Sequence, residues 1–433
     1  MDNPRKLAFA SLVRADALTS YSNIEINTVI SRSELSKKNA ALYTALYMGV
    51  TEKLLTLDYA IGKYSSVGMD KLDIETRNAL RLGFYQLMFM DRIPEYSAVS
   101  ETVSICPKRS KGFVNAVLRS FIRNEKKVDY PEDEWDRFSV ISSTPPYIID
   151  IFRSSYGDEA TRQLLSGTDA YSGISLRVNT LKTSVNDIIT VLDTRKIEYR
   201  KESLCDDVIA VFAPVSELED LISSGEAFVQ DTASRCAVKI FDPKSGMRIL
   251  DACACPGGKS FSSAIDMENQ GEIISCDLHR NKLSLIERGA KNLGINIIKA
   301  REQNGKEYVS EFDSLFDKVL CDVPCSGLGV IRKKPDIKYK KVDAVDSLPP
   351  IQREILENCS KYVKIGGELV YSTCTLNRKE NEDVVTCFLS SNDNFEPLEF
   401  SVGDTSSNNG MYTFFPHITG SDGFFVAKMR RVK

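Results

Sequence analysis

RILDACACPGGKS, residues 248–260, decides how the rest of the chain is read. Its apolar run ends at Asp251, a turn spans 252–258, and a helix is expected from Lys259. Glycine in such a turn lets backbone approach a ligand closely, and the helix start presents N–H groups that lack intrahelical partners. Asp277 follows 26 residues later, at the end of a second strand-like run, EIISCD. In an open α/β sheet a carboxylate placed there takes up ribose hydroxyls, so a nucleoside ligand is expected. A phosphate loop is not: its first glycine would fall at Cys253, and no G-x-G-x-x-G follows a strand here.

Outward from that stretch, strand and helix alternate. Strands are expected at 248–251, 272–277, 295–299, 318–321 and 368–372, with helices between them, one at 348–363. That alternation implies a mostly parallel, doubly wound sheet. A GSDG turn (420–423) before 424–429 predicts a hairpin of antiparallel edge strands. Two cysteines stand just past strand ends, where such sheets place their sites: Cys325 in DVPCSGLGV (322–330) and Cys374 in STCTLNRKEN (372–381). Two thiols could then serve one substrate. For Cys106, Cys205, Cys236, Cys359 and Cys387 the reading is a small buried hydrophobe.

At 433 residues the chain suggests about two to three domains. The first, 1–128, reads as an all-α bundle, with helices at 39–57, 74–90, 97–105 and 111–124 and apolar Leu7, Phe9, Leu12 and Val13 near one face after Pro4. Residues 128–146 carry charge, Pro131 and Pro145-Pro146, the composition of a linker. Within 129–225 a small α/β subdomain is expected, with helices near 147–165 and 185–193 and strands near 174–178 and 208–212; the last domain is 226–433.

Eleven cysteines scattered along the chain and an N-terminus without an apolar signal core suggest a reducing, cytoplasmic setting. No apolar run approaches the roughly 18 residues that span a bilayer. The net charge of −4 gives no global field for nucleic acid, so RNA contact must be local. The candidates are Lys108, Arg109 and Lys111, and a second cluster, Arg332, Lys333 and Lys334 continuing to Lys338, Lys340 and Lys341. A zinc cluster from Cys253, Cys255, Cys321 and Cys325 is disfavoured by spacing, and no metal is expected.

Residues 253–259, CACPGGK, resemble the CAAPGGK motif of RNA cytosine-C5 methyltransferases at six of seven places, with Cys255 replacing an alanine. The Cys325 and Cys374 contexts, PDIKYK (335–340) and LPPIQREIL (348–356) resemble the same family. RLGFYQLMFMDRIPEYSAVSETV (81–103) and KGFVNAVLRSF (111–121) resemble the RNA-binding module of the antitermination factor NusB, which precedes the catalytic domain in the RsmB/Sun type of bacterial 16S ribosomal RNA methyltransferases. The resemblance implies a NusB-like bundle, a small α/β subdomain and a class I Rossmann-like methyltransferase domain. It implies S-adenosylmethionine bound by Cys253, Ala254, Cys255, Pro256, Gly257, Gly258, Lys259, Asp277, Asn304 and Asp322, with Asn304 standing where the family usually has Asp. It makes Cys374 the nucleophile and Cys325 the releasing group, with Asp322 positioning the base.

Cytosine C5 is a weak nucleophile. Adding a thiolate at C6 breaks the aromaticity and makes C5 enamine-like, dividing one hard step into easier ones. The expected partner is 16S ribosomal RNA or a pre-ribosomal particle, and the chain is expected to act as a monomer. Two other readings stand beside this one. A DNA cytosine-C5 methyltransferase would attack with Cys325 and leave the Cys374 motif and the helical module unexplained. A non-catalytic RNA-binding assembly factor would have no use for intact Cys325, Cys374 and Asp322.

Overall fold

The computed structural model describes residues 2–18, 22–167, 173–340 and 342–433; Lys341 of the second basic cluster lies outside them. The chain divides into two compact units, Met1–Thr168 with Ile331–Lys340, and Asp169–Val330 with Lys341–Lys433.

The first unit is helical: Pro4–Leu18, Ser22–Arg32, Lys37–Glu52, Leu54–Tyr64, Ile74–Phe89, Glu95–Ile105, Lys111–Arg123, Glu134–Ser142 and Pro146–Ser166. Side-chain caps start several of these, Ser36 accepting from Asn39 N–H and Asp73 from Thr76 N–H. Tyr43, Leu46, Leu57, Phe84, Leu118 and Phe121 fill the core, with the Phe84 and Phe121 rings 4.4 Å apart. The helix expected over 39–57 is two helices, broken at Lys53. The expected linker holds the helix Glu134–Ser142, because Asp133 caps it by accepting from Trp135 and Asp136 N–H. Ile331–Lys340 packs with these helices. Lys338, expected in a solvent-facing basic cluster, is buried, and its ammonium donates to Glu52 O (3.1 Å) and Ser142 O (3.4 Å). Those are the last residues of two helices, where carbonyls lack intrahelical donors and attract cations.

The second unit begins with four antiparallel strands, β1 (Ile174–Val178), β2 (Tyr199–Lys201), β3 (Val208–Val211) and β4 (Ala227–Val229), in the order β2-β3-β1-β4. The helix Val185–Thr194 contributes Ile188 and Leu192 to the core of this sheet. The larger sheet contains β5 (Arg248–Asp251), β6 (Glu272–Asp277), β7 (Ile298–Glu302), β8 (Phe316–Asp322), β9 (Val363–Thr373) and β10 (Phe395–Pro397). A two-strand ribbon, β11 (Ser401–Val402) and β12 (Thr405–Ser406), precedes β13 (Met411–Phe414) and β14 (Phe424–Arg431).

The order is β10-β14-β9-β8-β5-β6-β7, with β13 also on β14. Pairing is parallel from β9 through β7 and antiparallel around β14. Two expectations are corrected. β7 starts three residues late, because its register against β6 pairs Ile273 with Ile298. The last strand is not an edge: β14 lies between β9 and β10, and the short helix Pro416–Thr419 separates it from β13.

A buried four-charge cluster joins the small sheet to the helix after the 252–258 turn. Arg177 of β1 contacts Asp207 (3.0 Å) and Asp266 (3.2 Å), and Arg235 contacts the same two carboxylates (2.8 and 2.6 Å). Asp266 ends the helix Gly258–Asp266, so the cluster anchors the helix that carries the glycine turn. Removing one partner strands the others in low dielectric. Asp266→Asn should therefore cost about 3 kcal/mol of unfolding free energy in urea titration. A loss below about 1 kcal/mol, the size of an exposed pair, would show that the cluster is solvated.

Candidate active site

Strand order reverses at β5, with β8 on one side and β6 on the other. Crevices in open α/β sheets form at such a point, beyond the carboxyl ends of the strands. Asp251 ends β5, Asp277 ends β6, Asp322 ends β8, and Cys374 follows β9.

The turn after β5 is fixed by its own backbone. Ala254 N–H donates to Cys276 O (2.7 Å), Gly257 N–H to Ala254 O (2.6 Å), and Phe261 N–H to Gly257 O (2.8 Å). Gly257 has φ +114, and a Cβ there would lie 2.4 Å from the Phe261 ring, so both conformation and packing exclude a side chain. Asp251 sits beneath the turn. Its Oδ2 accepts from Ser260 Oγ (2.7 Å), whereas the buried Oδ1 has no hydrogen-bond partner. The Asp277 Oδ1 accepts from His279 N–H (2.8 Å). Asn304 lines a small cavity with Ala252, Cys276 and Phe312; its amide donates to Glu307 (2.9 Å) and its oxygen accepts from Lys306 N–H (3.2 Å).

The two cysteines meet. Cys325 Sγ and Cys374 Sγ are 3.3 Å apart, neither in a disulfide and both half-buried. The hydrogen bond with the Cys374 sulfur, burial, and nearby Glu380 and Asp322 push the Cys325 thiol well above its ordinary pKa, so Cys325 keeps its proton. Next to them Lys259 Nζ lies 2.6 Å from Asp322 Oδ2 and 5.0 Å from the centroid of the Phe424 ring. Burial alone would lower the Lys259 pKa, but Asp322, with Cys374 and Asp251 adding attraction, raises it above the ordinary value. The ammonium is therefore available to stabilise a Cys374 thiolate. Asp322 Oδ1 accepts from Ser372 Oγ (2.8 Å), which leaves each carboxylate oxygen further lone pairs.

Of the expected residues, Lys259, Asp322, Cys325 and Cys374 come together; Asp277 stands at the end of β6 with its carboxylate on His279 N–H, and Asn304 lines a small cavity with Ala252 and Cys276. Sequence reasoning missed the support beneath them: Glu380, Gln352, Ser326 and Ser372. Glu380 was inside the quoted 372–381 motif, yet nothing in composition marked it as a buried carboxyl.

The family described as 16S rRNA methyltransferase RsmB/F matches residues 238–430, the NusB family matches 2–123, and a ferredoxin-like domain of RsmF/B-like methyltransferases matches 144–216. The Bacillus subtilis protein named probable ribosomal RNA small subunit methyltransferase B is 35% identical over 440 residues, covering 99% of this chain and 98% of its own. The chain belongs to the RsmB/F family of 16S rRNA methyltransferases. A Synechocystis protein of the same name is 30% identical over 100% of both chains. The crystal structure of PH0851 shares the fold, with TM-score 0.83 and 23% identity over 100% of this chain and 99% of that one. The helical first unit and the small antiparallel sheet account for the other two matched families. No helix among the described residues is long and apolar enough to cross a membrane.

Burial raises the Asp251 carboxyl from 3.8 to about 7. Because its folded value exceeds its unfolded one, the stability it contributes is whole below about pH 4 and lost as pH rises through about 7. Asp251→Asn should therefore flatten the fall in urea midpoint between about pH 5 and 8. An unchanged slope would show that Asp251 titrates as an ordinary carboxylate.

Proposed function

We propose that this chain methylates C5 of a cytosine in 16S ribosomal RNA from S-adenosylmethionine, through a covalent bond between Cys374 and C6 of the base. The observation that carries the reading is the 3.3 Å approach of two thiols from separate loops. A one-cysteine mechanism has no use for that pair.

The residues fit the cofactor. The glycine turn opens at a helix start, Asp277 stands where ribose hydroxyls are taken up, and the unpartnered Asp251 Oδ1 is an acceptor waiting for a donor. Cys253, Ala254, Cys255, Pro256, Gly257, Gly258 and Lys259 would form the walls of the turn, and Asn304 would accept from the exocyclic amine of adenine. When bound, S-adenosylmethionine supplies an electrophilic methyl group.

Asp322 holds the cytosine by accepting from N4 with the lone pairs left beside Lys259 and Ser372. Cys374, its thiolate favoured by Lys259, adds to C6 and turns C5 into an enamine-like carbon. After C5 is methylated its proton passes to water, and the electrons of that C–H bond re-form the ring double bond as the Cys374 sulfur departs. Cys325, still a thiol, assists that departure from 3.3 Å away. The helical unit, matched by the NusB family, would bring the RNA; exposed Lys108 and Lys334 are the cations it offers, whereas Lys338 is committed to helix ends.

The two thiols have separable tasks. Cys374→Ala should be inactive and form no adduct, and Cys325→Ala should accumulate a protein–RNA complex that survives denaturing electrophoresis. An adduct from Cys374→Ala but not from Cys325→Ala would reverse the roles. The cofactor assignment has its own check: Asp277→Ala should weaken S-adenosylmethionine binding in calorimetry by about 1.5 to 3 kcal/mol, the range for a hydrogen bond to a charged group. Unchanged affinity would remove Asp277 from the site.

A further inference from the structure

Glu380 is completely buried, six residues beyond Cys374. Its carboxyl accepts four hydrogen bonds. Oε2 takes Ser326 N–H (2.9 Å) and Gln352 Nε2 (2.9 Å), and Oε1 takes Ser326 Oγ (2.5 Å) and Asn377 Nδ2 (2.9 Å). The backbone carbonyl of Glu380 accepts from Tyr371 Oη of β9 (2.6 Å), which ties the residue to the strand that carries Cys374.

These donors are not scattered. Ser326 is the residue after Cys325, and Gln352 also donates to the carbonyl of Pro324, the residue before it (3.0 Å). Asn377 and Glu380 belong to the loop after Cys374. Ser326 Oγ and Thr375 Oγ1 lie 2.6 Å apart, Leu328 N–H donates to Thr375 Oγ1 (3.2 Å), and Gly329 N–H donates to Cys374 O (3.1 Å). One carboxyl therefore holds the Cys325 loop after the cysteine directly, and before it through Gln352, from a segment contiguous with the other cysteine.

We propose that Glu380 is a positioning residue for adduct release: by clamping the Cys325 loop to the Cys374 loop it sets the gap across which Cys325 acts on the Cys374–C6 bond. This rests on the two-cysteine reading above. Glu380 touches neither sulfur's substrate nor the cofactor turn; it acts through the backbone of Ser326 and Pro324. Addition by Cys374 needs that loop least, because Cys374 directly follows the last residue of β9. Release needs it most, since Cys325 must stay within reach once the other sulfur is bonded to the base.

Glu380→Gln keeps the shape but turns an amide toward donors, so at least one of the four hydrogen bonds is lost. Three measurements on the full chain separate positioning from simple support: thermal melting, the rate at which diamide oxidises Cys325 and Cys374 to a disulfide without RNA, and the fraction of RNA held as denaturation-resistant adduct. Positioning predicts a cooperative melt, disulfide formation slowed about tenfold, the equivalent of one lost hydrogen bond to a charged group, and adduct accumulation as in Cys325→Ala. Glu380→Asp, which keeps the carboxyl, should recover part of both rates.

Reduced turnover with wild-type disulfide rate and wild-type adduct fraction overturns the proposal. Should Glu380→Gln fail to fold, Gln352→Leu removes one clamp donor and the Pro324 link, and must shift both readouts in the same direction; unchanged readouts there also overturn it. If neither the wild type nor Cys325→Ala ever forms an adduct, the two-cysteine reading fails, and the disulfide rate alone then decides whether Glu380 sets the gap.

Discussion

The reversal of strand order at β5 is the constraint on which the molecule's chemistry depends. Parallel neighbours on both sides of β5 send their following segments to opposite faces of the sheet, so a crevice opens above its carboxyl end. Asp251, Asp277, Asp322 and Cys374 reach that crevice only because β5, β6, β8 and β9 run parallel and end within about two residues of one another. Were any one strand reversed, its residue would emerge on the far edge.

Around this opening the protein places buried polar groups rather than a plain apolar core. The Arg177, Arg235, Asp207 and Asp266 cluster secures the helix behind the glycine turn, and Lys259 with Asp322 brings a cation to the cysteines. Glu380 gathers donors from both cysteine loops. Each group is costly to bury unpaired, so each fixes its neighbours' positions as well as its own. Asp251 keeps one oxygen without a donor next to the turn. Its burial is what raises its pKa.

Local patterns were legible where strand and turn signals coincide. β1, β5 and β6 fall where apolar, β-branched runs predict them, because these runs are bounded by turn residues and mostly buried. The helix Glu134–Ser142 was readable too, since Asp133 followed by Glu134 is a helix-start signal that the prolines and charges around it obscured. The break at Lys53 had no signal: neither glycine nor proline marks it, and the two helices part because each buries its own face.

The sequence by itself determined the three-part architecture, the turn at 252–258 and the two cysteine motifs past strand ends, since all are carried by local residue order and spacing. Only the tertiary structure decided which groups meet. Lys338 lay in a run of charges, yet helix ends claim it; Lys259 lay in a glycine turn, yet it serves Asp322; Glu380 lay among charged neighbours, yet it is buried under two loops. The physical reason is common to all three. A long polar side chain takes its role from the donors and acceptors that distant segments bring within about 3 Å, and no local pattern specifies that distance.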